Sequence, residues 1–523
     1  MLSALPHASA VVDEPAHLTA GWLAVARGDL HVNREHPPLM KVLAGLALRP
    51  LDPVLPPEDP ALGPRSGEDF LFGYSRAFLY RANDADRLLS RARLPVVAVT
   101  LAAGAALFLW GRALLGGGAA LAALALYAFE PSLLAHGRLV TTDMGGAALA
   151  LAAIACAERA QASGRWRLRP GIRGLGGWDV LAGIMLGLAL AARYSSALLP
   201  PLMALAVVLD GRRPARVRLA GLAVSVLVAL AALQAVYVLV GGAGAAGLPV
   251  PGAWREGLEL ARHKNAEVEG PGFLNGEYAA DGWWSYFVLA LAMKGTLPML
   301  ALAGAGLALL TVGAGGSRGG AARWIWIALP PAALVAMTTA LTQAQIGLRY
   351  VLAAFPFLCL AGGAAAAALA SVPARRAGAA AAVALLGWHA GEALAIHPHH
   401  LAYFNQASGG PARGHLRLTD SNVDWGQDLV GLRRWMAREG VDRIHLYYFG
   451  TADPDYYGIV RETAPGPGYY AVSATHLAGV YLPDRRYLAP FLALTPRAHI
   501  GYSIFVYRFD STPAFLTTPI RRP

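Results

Sequence analysis

Long apolar runs separated by short basic bursts dominate this chain from residue 94 onward. Ten of them, at 94–114, 117–136, 144–160, 178–193, 194–209, 219–240, 284–310, 323–342, 349–371 and 378–396, have about the length a helix needs to cross a bilayer core. Residues 1–93 are polar to amphipathic instead. There Asp13 is placed to cap a short helix with Leu18, Trp22 and Val25 on one face. Pro37 and Pro38 end one element and start another, over Leu39–Leu51, which is too short to span. Pro-rich turns at Leu51–Pro60 and a charged stretch, Arg81–Arg93, follow. Beyond residue 397 polar and aromatic residues alternate. The pattern there predicts a helix near Leu429–Arg438 and strands at Arg443–Phe449, Tyr469–Ser473 and Ile500–Phe509. The expected fold is an all-α polytopic membrane protein with a small C-terminal α/β domain, divided at 1–93, 94–397 and 398–523.

Composition strengthens the membrane reading. At 56% hydrophobic, 15% charged and a mean hydropathy of +0.43, the chain is too apolar for an ordinary soluble protein. A net charge of +11 would suit a nucleic-acid partner, but most of the excess lies in short loops between apolar runs. Nucleic acid is therefore excluded. One set of alternate loops holds fourteen arginines: Arg112; Arg159, Arg165, Arg167, Arg169 and Arg173; Arg212, Arg213, Arg216 and Arg218; Arg318 and Arg323; Arg375 and Arg376. The positive-inside rule makes that side cytoplasmic and puts the first loop, Gly137–Asp143, Gly241–Gly282 and the tail outside. Trp283 and Trp284 read as an interfacial aromatic belt. Cys156 and Cys359 sit inside apolar runs and read as small buried hydrophobes, with no disulfide or metal framework. The Ala-rich tracts Ala364–Ala368 and Ala379–Ala382 read as tight helix packing. The Met1 region lacks the basic segment of a signal peptide.

Chemistry concentrates in VVDEPAHLTAGWLAVARGDLHVNREHPPLMK, Val11–Lys41. The order DE-x-x-H-L-x-x-G, G-D, N-x-E-H-P-P-L-x-K resembles the first extracytoplasmic loop of GT-C glycosyltransferases that use polyprenyl-phosphate sugars. These include protein O-mannosyltransferases and the aminoarabinose transferases of lipid A, the GT39-like branch. The resemblance implies about 10–11 transmembrane helices and an inverting transfer from a polyprenyl-phosphate-linked sugar to a protein, lipid or glycan hydroxyl. The active site would face the periplasm from the bacterial inner membrane. That family carries a transmembrane helix ahead of its DE motif, whereas twelve residues precede Asp13 here. Either the true start lies upstream or that helix has been lost.

Such a transfer needs a carboxylate to take the acceptor proton, positive charge for the leaving phosphate and a groove for the carrier. Asp13 matches the family's catalytic position, with Glu14 beside it; the plainer reading of the pair is helix capping. Glu35 matches the glutamate before the proline pair, which in the aminoarabinose branch is associated with a metal. His36 stands where that branch has a phosphate-binding lysine. The residues leave open whether a divalent metal takes part. In AHGRLVTTDM, Arg138 resembles a donor-phosphate ligand and Asp143 a supporting acid, an ion pair between them being the alternative. Arg349 is a second phosphate candidate, or else a headgroup anchor. Lys294, inside an apolar run, points to an interior salt bridge. TDSNVDWGQDL resembles a motif in unassigned bacterial members of that family, whose relatives use a soluble C-terminal domain to help bind acceptor; Asn422, Asp424, Trp425 and Gln427 are the acceptor-binding candidates, and the alternative is a turn with Asp424 capping the next helix. No P-loop, dinucleotide fingerprint or Ser-His-Asp context competes. The rival functions are a lipid-linked sugar flippase, which would need repeats with broken helices at mid-membrane, and a non-catalytic scaffold.

Overall fold

A computed structural model describes residues 1–65, 67–163, 176–267, 272–371 and 375–517. Among these, five helices are long and apolar enough to cross a membrane: Ala85–Leu115, Ala215–Gly241, Leu297–Ala314, Arg318–Leu341 and Leu348–Leu369. Shorter apolar helices at Gly117–Ala128, Gly177–Ala192 and Tyr194–Leu209 pack among them. The chain is an integral membrane protein and mostly helical, with strands concentrated near the C-terminus.

Two expected spans are broken. The run 117–136 divides into Gly117–Ala128 and Pro131–His136, because Pro131 lacks a donor and Glu130 turns back to accept from the Ser132 N–H. The run 284–310 divides into Tyr286–Lys294 and Leu297–Ala314, with Gly295 ending one helix and the Thr296 hydroxyl capping the next. A third difference lies at the start of 94–114, where the helix begins at Ala85 and so absorbs most of the charged stretch. Arg93, expected in a loop, is thereby a helix residue and buried. The arginines Arg165, Arg167, Arg169 and Arg173 fall outside the described residues. Arg212 pairs with Asp210 and Glu158, and Arg213 with Asp179.

The outer layer starts with α1 (Glu14–Arg27) and α2 (Pro38–Leu48). They cross closely because Gly21 and Gly45 leave room for backbone. A Cβ on Gly21 would strike the Lys41 carbonyl, and one on Gly45 would strike the Gly21 carbonyl. Leu18, Trp22 and Val25 do share one core, yet α1 is buried all round from Glu14 to Ala24. The expected one-sided helix is instead sandwiched, since Ala16, Ala20 and Leu23 pack with Phe70, Leu71 and Tyr74.

The hairpin β1 (Gly272–Leu274) and β2 (Glu277–Ala279) precedes a five-stranded mixed sheet. Its strands are β3 (Arg443–Tyr447), β4 (Val460–Arg461), β5 (Gly468–Ser473), β6 (Ala498–Ile500) and β7 (Ile504–Phe509), in the order β4-β3-β5-β7-β6. The expected strand Ile500–Phe509 is a hairpin instead, turning through Gly501 and Tyr502 at positive φ. The helix Leu429–Glu439 covers one face with Leu432, Trp435 and Met436. The N-terminal loop is tied to this region by the Ser9 N–H on the Gln427 carbonyl (2.9 Å) and the Val12 N–H on the Trp425 carbonyl (2.9 Å). Arg76 adds a two-pronged bond to Asp453. These ties hold the acidic motif under the Trp425 loop.

Candidate active site

Asp13 occupies the position before α1, but its side chain makes no capping bond. It accepts from Arg349 Nη1 at 2.7 Å instead. Burial pushes the Asp13 carboxyl up, yet the Arg349 charge, followed by His17, the Arg349 hydrogen bond and Arg193, outweighs burial and holds it below the usual carboxylate range. Asp13 is therefore a carboxylate at neutral pH.

Glu14 points the other way and is fully buried. Arg93 Nε reaches its Oε1 at 2.8 Å and Nη2 its Oε2 at 2.6 Å, while the Val11 and Val140 N–H groups each donate at 3.0 Å. Four donors on one carboxylate make Glu14 the anchor that joins the motif to helix Ala85–Leu115 and to the loop before Asp143. The two neighbouring carboxylates thus do not share a site.

His17, one turn after Asp13, donates from Nδ1 to the Val140 carbonyl at 2.9 Å, which leaves Nε2 buried without a partner. His36 meets it edge-on, with ring centroids 4.7 Å apart. Burial, then the charges of His17, Lys41, Arg349 and Arg193, push His36 well below the ordinary imidazole range. One ligand atom each from Asp13, His17 and His36 lies within 4.8 Å of the others. Lys41 is buried beside them, donating to the Asn33 carbonyl at 2.6 Å, and burial brings its ammonium down to about 7.

On the other side of Asp13 the charges alternate. Asp143 opens helix Asp143–Ser163 and pairs with Arg193, while Arg349 Nη1 lies 4.0 Å from Asp143 Oδ2. Both guanidinium carbons sit 5.5 Å from the centre of the Tyr350 ring, and Arg349 also lies 4.4 Å over Trp425. Beside them opens a narrow cleft of about 30 Å³, lined by Asp143, Arg193 and Arg349 together with Ala147, Leu198, Leu199, Leu334 and Val351. A second narrow cleft of about 20 Å³ borders His36 and is lined by Asp29, Arg34, Lys41, Tyr194 and Tyr237.

Asp13, His36, Asp143, Arg349 and Trp425 thus converge, whereas other expected residues do not. Arg138 donates to the Pro398 carbonyl at 2.9 Å, and among the described residues no Arg138–Asp143 pair forms. Glu35 is drawn to Lys264 at 3.2 Å. Asn422 bonds Tyr286, the Thr419 carbonyl and the Leu348 N–H. Asp424 accepts from the Thr475 and Gly426 N–H groups, and Gln427 spans Val423 and Trp425. Buried in this way, the three polar side chains hold the loop that seats Trp425. Asp424 does not cap the following helix; Asp428 stands at that position without a capping bond. Lys294 reaches no carboxylate among the described residues and donates to the Leu401 and Asn422 carbonyls over the Phe404 ring. Sequence reasoning missed Arg193. Its signal was an arginine and tyrosine at the joint of two apolar runs.

Residues 86–238 match the family model described as dolichyl-phosphate-mannose-protein mannosyltransferase. The match begins beyond the Asp13–Lys41 motif and ends before Arg349. No curated protein matches the chain. Among solved structures, ArnT from Cupriavidus metallidurans bound to undecaprenyl phosphate is similar at 14% identity over 99% of this chain and 97% of that one, with a TM-score of 0.47. The oligosaccharyltransferase AglB from Archaeoglobus fulgidus, in complex with an inhibitory peptide and a dolichol-phosphate, is similar at 15% identity over 73% of this chain and 50% of that one, with a TM-score of 0.41.

Proposed function

We propose that this protein transfers a glycosyl group from a polyprenyl-phosphate donor to an acceptor hydroxyl at the extracytoplasmic face of the membrane. The observation that carries the reading is the cleft in which Arg193 and Arg349 sit over apolar walls beside an ionised Asp13. Two fixed cations suit a phosphate oxyanion, and the apolar walls suit a chain entering from the bilayer. The family matched by residues 86–238 is described by a dolichyl-phosphate sugar, which supports the same donor class. In the proposed step the acceptor oxygen attacks the anomeric carbon opposite the phosphate and gives its proton to Asp13. The sugar–phosphate bond breaks, and Arg193 and Arg349 receive the polyprenyl phosphate. The cleft with Lys41, Arg34, Tyr194 and Tyr237 offers the polar surface an acceptor or sugar needs. Asp143 supports the site by orienting Arg193, and Glu14 acts only through the fold.

The donor side is tested by binding. Purified protein is expected to bind polyprenyl phosphate, and Arg193→Gln with Arg349→Gln to weaken binding by at least about tenfold, the loss of charge-assisted hydrogen bonds. Arg138→Gln should leave binding unchanged. Equal binding by the double variant would remove the phosphate site from this cleft.

Orientation has a separate test. A reporter active only outside the cytoplasm, fused after Pro523, is expected to be active, and a cytoplasm-only reporter silent. The reverse pair would put Asp13 on the wrong side.

A further inference from the structure

We propose that Trp425 is a positioning residue: its indole sets the Arg349 guanidinium so that a free edge of it meets the donor phosphate. The inference rests on the phosphate cleft proposed above and adds the element that orients it.

Arginine offers a flat face that stacks on aromatic rings and an edge of N–H donors that bonds oxyanions. Arg349 uses the two separately. Its guanidinium carbon lies 4.4 Å over the Trp425 ring, so the face is taken. Along the edge, Nη1 donates to Asp13 at 2.7 Å, while Nε is buried with no partner among the described residues. A buried donor left unpaired is costly, and a phosphate oxygen would complete it. Tyr350 is the weaker platform, since its ring lies 5.5 Å from Arg349 and equally far from Arg193.

The indole is itself held in place. Trp425 is 1% exposed, and its carbonyl accepts from the N–H of Val12, the residue before Asp13. Just before Trp425 the same loop reaches the segment that carries Arg349. There the Leu348 N–H donates to Asn422 Oδ1 at 2.9 Å, and the Ser421 hydroxyl to the Ile346 carbonyl at 2.8 Å. One loop thus ties down both stretches of chain that bring Asp13 and Arg349 together. The ring is its contact with the charge, at a buried site where such a contact is worth most.

Binding of polyprenyl phosphate to the full-length protein in detergent reads the proposal. Trp425→Met fills the space without a ring, with Trp425→Leu as a second ring-free variant, and Trp425→Phe keeps a ring. The ring-free variants should weaken binding by about tenfold and Trp425→Phe by about threefold. In an Arg349→Gln background each of these losses should shrink below about twofold, because the ring acts through the guanidinium. A general loosening of the fold would instead add the same loss in both backgrounds. Thermal unfolding establishes which variants are folded before titration. Equal losses in the two backgrounds, or a folded ring-free variant that binds as tightly as the unaltered protein, would overturn the role of Trp425 and leave the cleft standing. Failure of the unaltered protein to bind would overturn the cleft, and this role with it.

Discussion

Asp13→Asn is expected to slow glycosyl transfer by about 10²–10⁴-fold at unchanged protein yield and membrane insertion. An acceptor hydroxyl is barely ionised near neutral pH, so its proton must leave as the new bond forms. Asparagine keeps the shape of the side chain and removes the basic oxygen. Capping does not complicate the comparison, since the Asp13 side chain caps nothing. What is lost besides the base is one ion pair with Arg349, and donor binding reports on that separately. The pH profile carries a further signature. Held below the usual carboxylate range, Asp13 is ionised at neutral pH, so the acid limb of the rate should lie below the range of an ordinary carboxylate. The sign for stability follows the same way. A depressed carboxyl contributes stability above its unfolded pKa, and the contribution is lost as pH falls through its folded value. Retention of more than about a tenth of the activity in Asp13→Asn would move the base elsewhere, with Asp143 the next candidate.

Glu14 lies one residue away and should behave in the opposite manner. Glu14→Ala is expected to destabilise the protein by about 3–5 kcal/mol, because it leaves the Arg93 guanidinium buried without its carboxylate. Arg93 also holds the Ala8 and Ser9 carbonyls, so the N-terminal loop should loosen with it. Replacing both partners, Glu14→Leu with Arg93→Met, should recover much of the loss by removing both buried charges. Thermal unfolding in detergent measures the three variants. If Glu14→Ala melts with the unaltered protein, the pair does not hold the motif.

These two neighbours also show what the sequence could tell. The motif around Asp13 was legible because chemistry fixes residue type and spacing along one short segment. The division of labour between Asp13 and Glu14 was not, since it depends on Arg349 and Arg93, which folding brings from distant helices. Arg93 looked like a loop charge, for hydropathy counts a paired arginine as solvated. Arg193 escaped for a related reason: two apolar runs abut there with no polar loop to mark a turn. Arg138 misled, because its spacing to Asp143 suggested a pair, whereas its guanidinium donates to the distant Pro398 carbonyl. In the tail, the helix Leu429–Glu439 and the strands Arg443–Tyr447 and Gly468–Ser473 after it followed their periodicities. The final hairpin did not, because its turn rests on Gly501 and Tyr502 at positive φ inside an otherwise strand-like run.

Transfer from a polyprenyl-phosphate sugar leaves its mark on the cell's own lipids. Mass spectrometry of polyprenyl-phosphate sugars and surface glycans would compare a deletion strain carrying the unaltered gene, the Asp13→Asn gene or neither. Donor is expected to accumulate and one glycan modification to disappear in the last two strains alike, with the unaltered gene reversing both. An unchanged donor pool with all glycans intact, or a lipid-linked intermediate trapped on the inner leaflet, would contradict it.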